Sequence, residues 1–122
     1  MAASSDNSLP QGSLDLLVLQ SLAGGKRHGY QVAKHIQSTS GDVLRVEEGS
    51  LYPALHRMER RGWIASEWGL SESNRRAKYY GLTRSGRAQL KVEVASWRAM
   101  AEAIGKVIDA GAVTPRLGIS IS

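Results

Sequence analysis

Arg57, Arg60 and Arg61 fall within five residues of one another, and Arg75, Arg76 and Lys78 follow within four more positions of a second cluster. Guanidinium and ammonium groups at this density suit one chemistry above others, the charge-assisted binding of phosphate. From Ser50 to Lys91 the chain carries nine Lys and Arg against three acids, whereas the remainder carries seven against eight. The net charge of +5 is therefore concentrated in about a third of the 122 residues. That is the footprint of a polyanion site rather than of a diffuse solubility charge. Catalytic chemistry lacks its parts. Cys is absent, which removes thiolate nucleophiles, thiolate metal ligands and disulfides. His28 and His35, about 10 Å apart along a helix, are too far apart to share a metal ion, and no nearby carboxylate completes a ligand set. His28 and His56 read as ordinary polar residues at helix margins. No metal, no cofactor and no enzymatic activity are expected.

The first cationic cluster lies on Glu48 to Gly62, EGSLYPALHRMERRG. Leu51, Leu55 and Met58 recur at helical spacing and face a core, with Ser50, Pro53, Arg57, Arg60 and Arg61 largely opposite. Ser50 suits the N-cap, Pro53 the first turn and Gly62 the C-terminal stop. A bounded helix with a basic face about four turns long has the width of a DNA major groove. Next, Trp63 to Trp68 and Lys78 to Leu82 carry aromatic and β-branched residues in alternation, which predicts a hairpin. The intervening GLSESNRRA is a polar loop with cations near its tip. A helix followed by a hairpin is the order of a winged helix, with the loop as the wing. Tyr80, one residue out of phase with Tyr79, belongs to the core.

Upstream, Ser13 can cap a helix carrying Leu14, Leu16, Leu17, Val18, Leu19 and Leu22 that ends at Gly24 and Gly25. A second helix, from Gly29 to Thr39, places Tyr30, Val32, Ala33 and Ile36 inward and Gln31, Lys34, His35 and Gln37 outward. Gly41 to Val46 has room for no more than a small edge strand around Leu44 to Val46. Three helices and a hairpin make a DNA-binding core over residues 13–83.

The last helix, from a Thr83 cap over residues 84–109, differs in kind. Leu90, Val94, Trp97, Ala101, Ile104 and Ile108 repeat at spacings of four and three over nearly three heptads. A stripe of roughly 27 Å exceeds what a small winged domain covers. The pattern predicts a homodimer, with Leu14 joining the interface, over a helix folded back on its own domain. A two-fold dimer also offers two helices to two half-sites. Trp97, at mid-stripe, either meets its mate to form a flat slot for a planar aromatic effector or fills the dimer core, since a chain with no Phe must use Trp and Tyr as its bulky apolar residues. Residues 1–12 and 110–122 read as tails. LDLLVL is too short to export or anchor the chain, so no membrane partner and a cytoplasmic location are expected. The fold class is mainly α with a small β-hairpin, a winged helix-turn-helix plus a C-terminal dimerisation helix.

The segments HGYQVAKHI, RVEEGSLYPALHRMERRGWI and RRAKYYGLT, in that order, resemble the PadR family of bacterial transcriptional regulators across about Gly12 to Ile108. The likeness is to its smaller subfamily, which has a single C-terminal helix. It implies a repressor of its own gene or of a neighbouring operon, bound to a palindromic or near-palindromic operator. Some multidrug-sensing members of the family bind planar compounds in an aromatic slot. Carried over by position, the resemblance implies that Ser50, Tyr52, Pro53 and Arg57 approach DNA from the third helix and Arg75, Arg76, Lys78 and Tyr79 from the wing. Arg57 could fork onto guanine O6 and N7 or onto a phosphate, and Tyr79 could donate its hydroxyl to phosphate. Tyr52 equally suits a half-buried support for its helix. The alternative to a regulator is a sequence-tolerant nucleic-acid binder or interaction protein without a ligand response.

Overall fold

The structure, a computed structural model, describes Leu9 and residues 12–111. The elements run in the order α1 (Ser13–Ala23), β1 (Arg27–His28), α2 (Gly29–Thr39), α3 (Glu48–Arg60), β2 (Ile64–Leu70), β3 (Arg76–Leu82) and α4 (Arg84–Gly111). The sheet is antiparallel in the order β1-β3-β2. Ile64 pairs with Leu82 at its base and Leu70 with Arg76 near the wing tip. Both hairpin strands run further toward the tip than the sequence predicts, and the connecting loop is only 71–75. Ser71 and Arg75 close it, the amide of Ser71 donating to the Arg75 carbonyl at 2.8 Å. Asn74 takes the left-handed conformation that the turn requires, with φ +65°.

The predicted edge strand at Leu44 to Val46 does not form. The third strand is Arg27–His28, paired with Tyr80 and Tyr79 of β3. Two residues are too few to carry a period-two pattern. Leu44 and Val46 instead pack against the core from an irregular loop.

The core is built from Val18, Leu19 and Leu22 of α1, Val32 and Ile36 of α2, Leu51, Ala54, Leu55 and Met58 of α3, Ile64 of β2 and Tyr80 of β3. Tyr80 is buried as expected. Tyr30, expected inward, is 62% exposed. It stands two residues, about 200° of helical turn, from Val32, which points into the core.

Helix ends differ from expectation in one informative place. α3 begins at Glu48, with Glu47 at its N-cap, so Ser50 lies inside the first turn and does not cap it. The amides of Ser50 and Leu51 donate to the Glu47 carbonyl at 3.0 and 2.9 Å. Two glutamates at the amino end also complement the helix dipole. Pro53 consequently falls in the second turn, and the Gly49 carbonyl loses its intrahelical donor. The carboxyl end follows expectation. Gly62, at φ +79°, turns the chain while its amide donates to Glu59 and that of Trp63 donates to Met58, a Schellman closure. α1 starts at Ser13 behind Gly12, which adopts φ +82° at the N-cap, so Ser13 is the first helical residue and not the cap.

The first turns of α4 lie on α1, and Leu90 and Leu14 pack against the subunit's own core. The helix then leaves the domain. Trp97, Met100, Ile104, Val107 and Ile108 are all exposed large hydrophobics. α4 runs through Gly111, so the first two residues of the expected C-terminal tail are helical. The rest of that tail, and most of the N-terminal one, lie outside the described residues.

Candidate nucleic-acid interface

A groove of about 1130 Å³ opens between α2, α3 and the hairpin. Among the described residues that line it, the cations are Arg27, Lys34, Arg75, Arg76 and Lys78, and the one carboxylate is Glu72. The core-facing residues of α3 leave Gly49, Tyr52, Pro53, His56 and Arg60 on the exposed side of the helix. Tyr52 and His56 line the groove. Ser50 is exposed beside them at the amino end. Arg60 is exposed at the far end, and the Arg61 guanidinium lies 5.0 Å over the ring of Trp63.

Arg57 does not share that face. Both of its terminal nitrogens donate to the Asp15 carboxylate of α1, each at 2.9 Å. The hydrogen bond to Asp15 raises the guanidinium pKa further, against the opposing effect of burial. The residue thus braces α1 against α3. Helical periodicity placed Arg57 opposite the core, but an acid 42 positions away captures its long side chain. Arg57→Ala is expected to lower stability by about 1 kcal/mol, the modest value suiting a bidentate but part-exposed pair. The same variant should leave the salt dependence of DNA binding unchanged. A salt slope that flattens in a titration of this variant would return Arg57 to the interface.

Tyr79 is likewise engaged internally. Its hydroxyl donates to the Leu70 carbonyl at 2.6 Å, and its ring meets the edge of His28 at 5.2 Å. The phenolic proton expected for a phosphate holds the two wing strands together instead. Tyr52 does two things at once. Its ring lies against the backbone of Gly29, where a β-carbon would come within 2.6 Å of its hydroxyl. The outer face remains part of the groove, since the residue is 38% exposed. A side chain at position 29 would have to displace the end of the Tyr52 ring.

On the wing, Arg75 and Arg76 are exposed. Lys78 reaches Glu59 at 3.6 Å and lies near the Tyr80 ring. Trp68, which pairs across the ladder with Lys78, is 59% exposed and carries the Arg76 guanidinium 4.3 Å over its ring. In the sequence, Trp68 counts only as a strand former. The signal was there, since a Trp on an exposed hairpin face opposite a Lys is a poor core residue and a good flat contact surface.

His28 is more than a residue at a helix margin. It is buried at the N-cap of α2, where Nδ1 accepts from the Gln31 amide and the Gln31 side chain accepts from the His28 amide. This capping box leaves the imidazole proton on Nε2. That nitrogen faces the Glu72 carboxylate at 3.2 Å, and Gln31 Nε2 donates to the same carboxylate at 2.7 Å. Hydrogen bonds from its own backbone amide, then from Gln31 and His28, hold the Glu72 carboxyl down to about 2. The carboxylate's share of the contact is therefore expected to weaken as pH falls below the ordinary carboxylate range and to be lost toward that value. Among the described residues no three His, Cys, Asp or Glu gather into a metal site, and no helix is long and apolar enough to cross a membrane.

Residues 18–92 match the model of the transcriptional regulator PadR-like family. A transcriptional regulator from Clostridium thermocellum superposes with a TM-score of 0.71 at 30% identity, over 79% of this chain and 93% of that one. A PadR family transcription regulator from Clostridium difficile gives 0.68 at 30% identity, over 80% and 99%. A transcriptional regulator of Mycobacterium tuberculosis is 34% identical over 80 residues, which span 66% of this chain and 71% of that protein. These are winged-helix regulators of transcription rather than enzymes, and the chain belongs to the PadR-like family.

Proposed function

We propose that this protein is a homodimeric, sequence-specific repressor of its own gene or of a neighbouring operon, acting in the cytoplasm on a palindromic or near-palindromic operator. One observation carries the reading furthest: a groove lined by five cations and one acid, flanked by a helix and a wing, on a subunit whose last helix leaves an apolar stripe uncovered. The domain over residues 13–83 supplies the DNA surface, and the helix over 84–109 supplies the dimer contact. Ser50, Tyr52, Pro53 and Arg60 enter or border the major groove from α3, and His56 adds a polar group on the same face. Arg61 sits at the backbone margin. Arg75, Arg76 and Lys78 meet phosphate from the wing. Val94, Trp97, Ala101, Ile104 and Ile108 meet the second subunit, while Leu14 and Leu90 support the base of the interface from within their own subunit. Two Trp97 rings brought together across the two-fold axis would form the slot for a planar aromatic effector, and a bound effector would change the spacing of the two α3 helices.

The test is binding to duplex DNA from upstream of the protein's own gene, beside a shuffled duplex, across a salt series. A preference for the native duplex that persists as salt rises supports a specific regulator. Equal and steeply salt-sensitive binding to both favours a tolerant binder. In the same assay, replacing Arg75 or Arg76 by Ala is expected to flatten the slope of log affinity against log salt by about one unit per dimer arm. A slope equal to that of the wild type would remove the wing from the interface.

A further inference from the structure

The acid in the groove is placed where a DNA-binding surface has least use for one. Glu72 projects from the wing loop across to the start of α2, where His28 Nε2 and Gln31 Nε2 meet its two oxygens at 3.2 and 2.7 Å. It is the only carboxylate among the described groove residues, facing Arg27, Lys34, Arg75, Arg76 and Lys78. The proton on His28 Nε2 is fixed there by the capping box, so the imidazole is a committed donor toward the groove. A backbone phosphate presents the same chemistry as Glu72, an anionic oxygen pair accepting from neutral donors.

We propose that Glu72 gates the groove: its carboxylate latches the wing to α2 in the free protein and must leave His28 and Gln31 when a phosphate takes its place. The latch sets the position of the wing and imposes a fixed electrostatic cost on every duplex that enters. The inference rests on the DNA-binding reading above, but the latch itself exists without DNA and can be measured without it. Glu72 is also 70% exposed in its side chain, so its replacement does not endanger the core.

The experiment compares the full-length wild type with Glu72→Gln and Glu72→Ala by two readouts. The first is amide hydrogen exchange across the wing loop and at Gln31 in free protein. The second is affinity for the native and shuffled upstream duplexes. Both variants are expected to exchange faster in the wing and to bind both duplexes about three- to tenfold more tightly, since a negative charge leaves a phosphate-binding groove. Unchanged exchange overturns the latch, even if affinity rises, because charge alone then explains the gain. Faster exchange with weaker binding overturns the gating, because Glu72 would then aid DNA by holding the wing in place. If wild type and variants bind neither duplex, faster exchange still supports the latch while the regulator reading fails.

Discussion

Ile104→Asp is expected to sediment as a monomer at concentrations where the wild type is a dimer, and to lose about 100-fold or more in operator affinity. The stripe Trp97, Met100, Ile104, Val107 and Ile108 is uncovered in the subunit, with Ile104 itself 51% exposed. An aspartate there faces water in the isolated chain, so the fold of one subunit loses little. In a two-fold dimer the same change places a carboxylate on each side of a dry seam, where an unpaired charge costs several kcal/mol. The affinity loss would follow from the geometry of the proposed dimer, in which two linked α3 helices would read two half-sites at once where a monomer reads one. Equilibrium sedimentation and footprinting on one preparation check both halves of this expectation. A variant that stays dimeric would place the interface elsewhere. A monomer with undiminished affinity would mean that one winged domain recognises the operator alone.

The stripe was legible only in part: the repeat at spacings of four and three along one helix includes Trp97, Ile104 and Ile108, all exposed, but it leaves out the exposed Met100 and Val107 and takes in Leu90, which packs against the subunit's own core. The apolar face of α3 was legible because its information is local, and so was the order of helix and hairpin. What the sequence could not show depends on partners far along the chain. Arg57 lies on a basic face by periodicity, yet Asp15 turns it toward α1. Tyr79 alternates outward from Tyr80, yet its hydroxyl is taken by the Leu70 carbonyl. Glu72 looked like one acid in a polar loop, and its meaning comes from Gln31, 41 positions away. The N-cap of α3 failed for a different reason. Ser has the stronger capping preference, but Glu47 provides the extended backbone and the carbonyl that accept the first helical amides. The proposed site therefore has one free cation fewer than the sequence suggests, because Arg57 is held by Asp15, and two exposed aromatic rings, Tyr52 and Trp68, line its groove.

Gly86→Ala is expected to reduce stability by about 3 kcal/mol or more, which is at or above the usual upper range for overpacking because the obstacle is backbone. A β-carbon at position 86 would stand 1.9 Å from the Trp63 carbonyl oxygen and 2.9 Å from its carbon. That carbonyl cannot move away. It accepts from the Thr83 amide at 3.0 Å, and the Trp63 amide donates to Met58 at the same distance. Thr83 in turn caps α4, its hydroxyl oxygen accepting from the Gly86 amide at 3.0 Å. The end of α3, the base of the hairpin and the start of α4 thus converge on one peptide group, and only a residue without a side chain fits beside it. The same methyl at Gly105 meets nothing within 4 Å, so Gly105→Ala should be neutral or stabilising by up to about 1 kcal/mol through helix propensity. Urea unfolding of the two variants reads opposite signs from identical chemistry, and equal midpoints would mean that the α3 to α4 junction is not closed as described. If α4 also sets the angle between subunits in the proposed dimer, the fraction of Gly86→Ala that does fold should bind the operator less tightly than the wild type. In the proposed dimer, the junction that stabilises the domain would then also be the lever through which a change at α4 reaches the proposed DNA-binding surface.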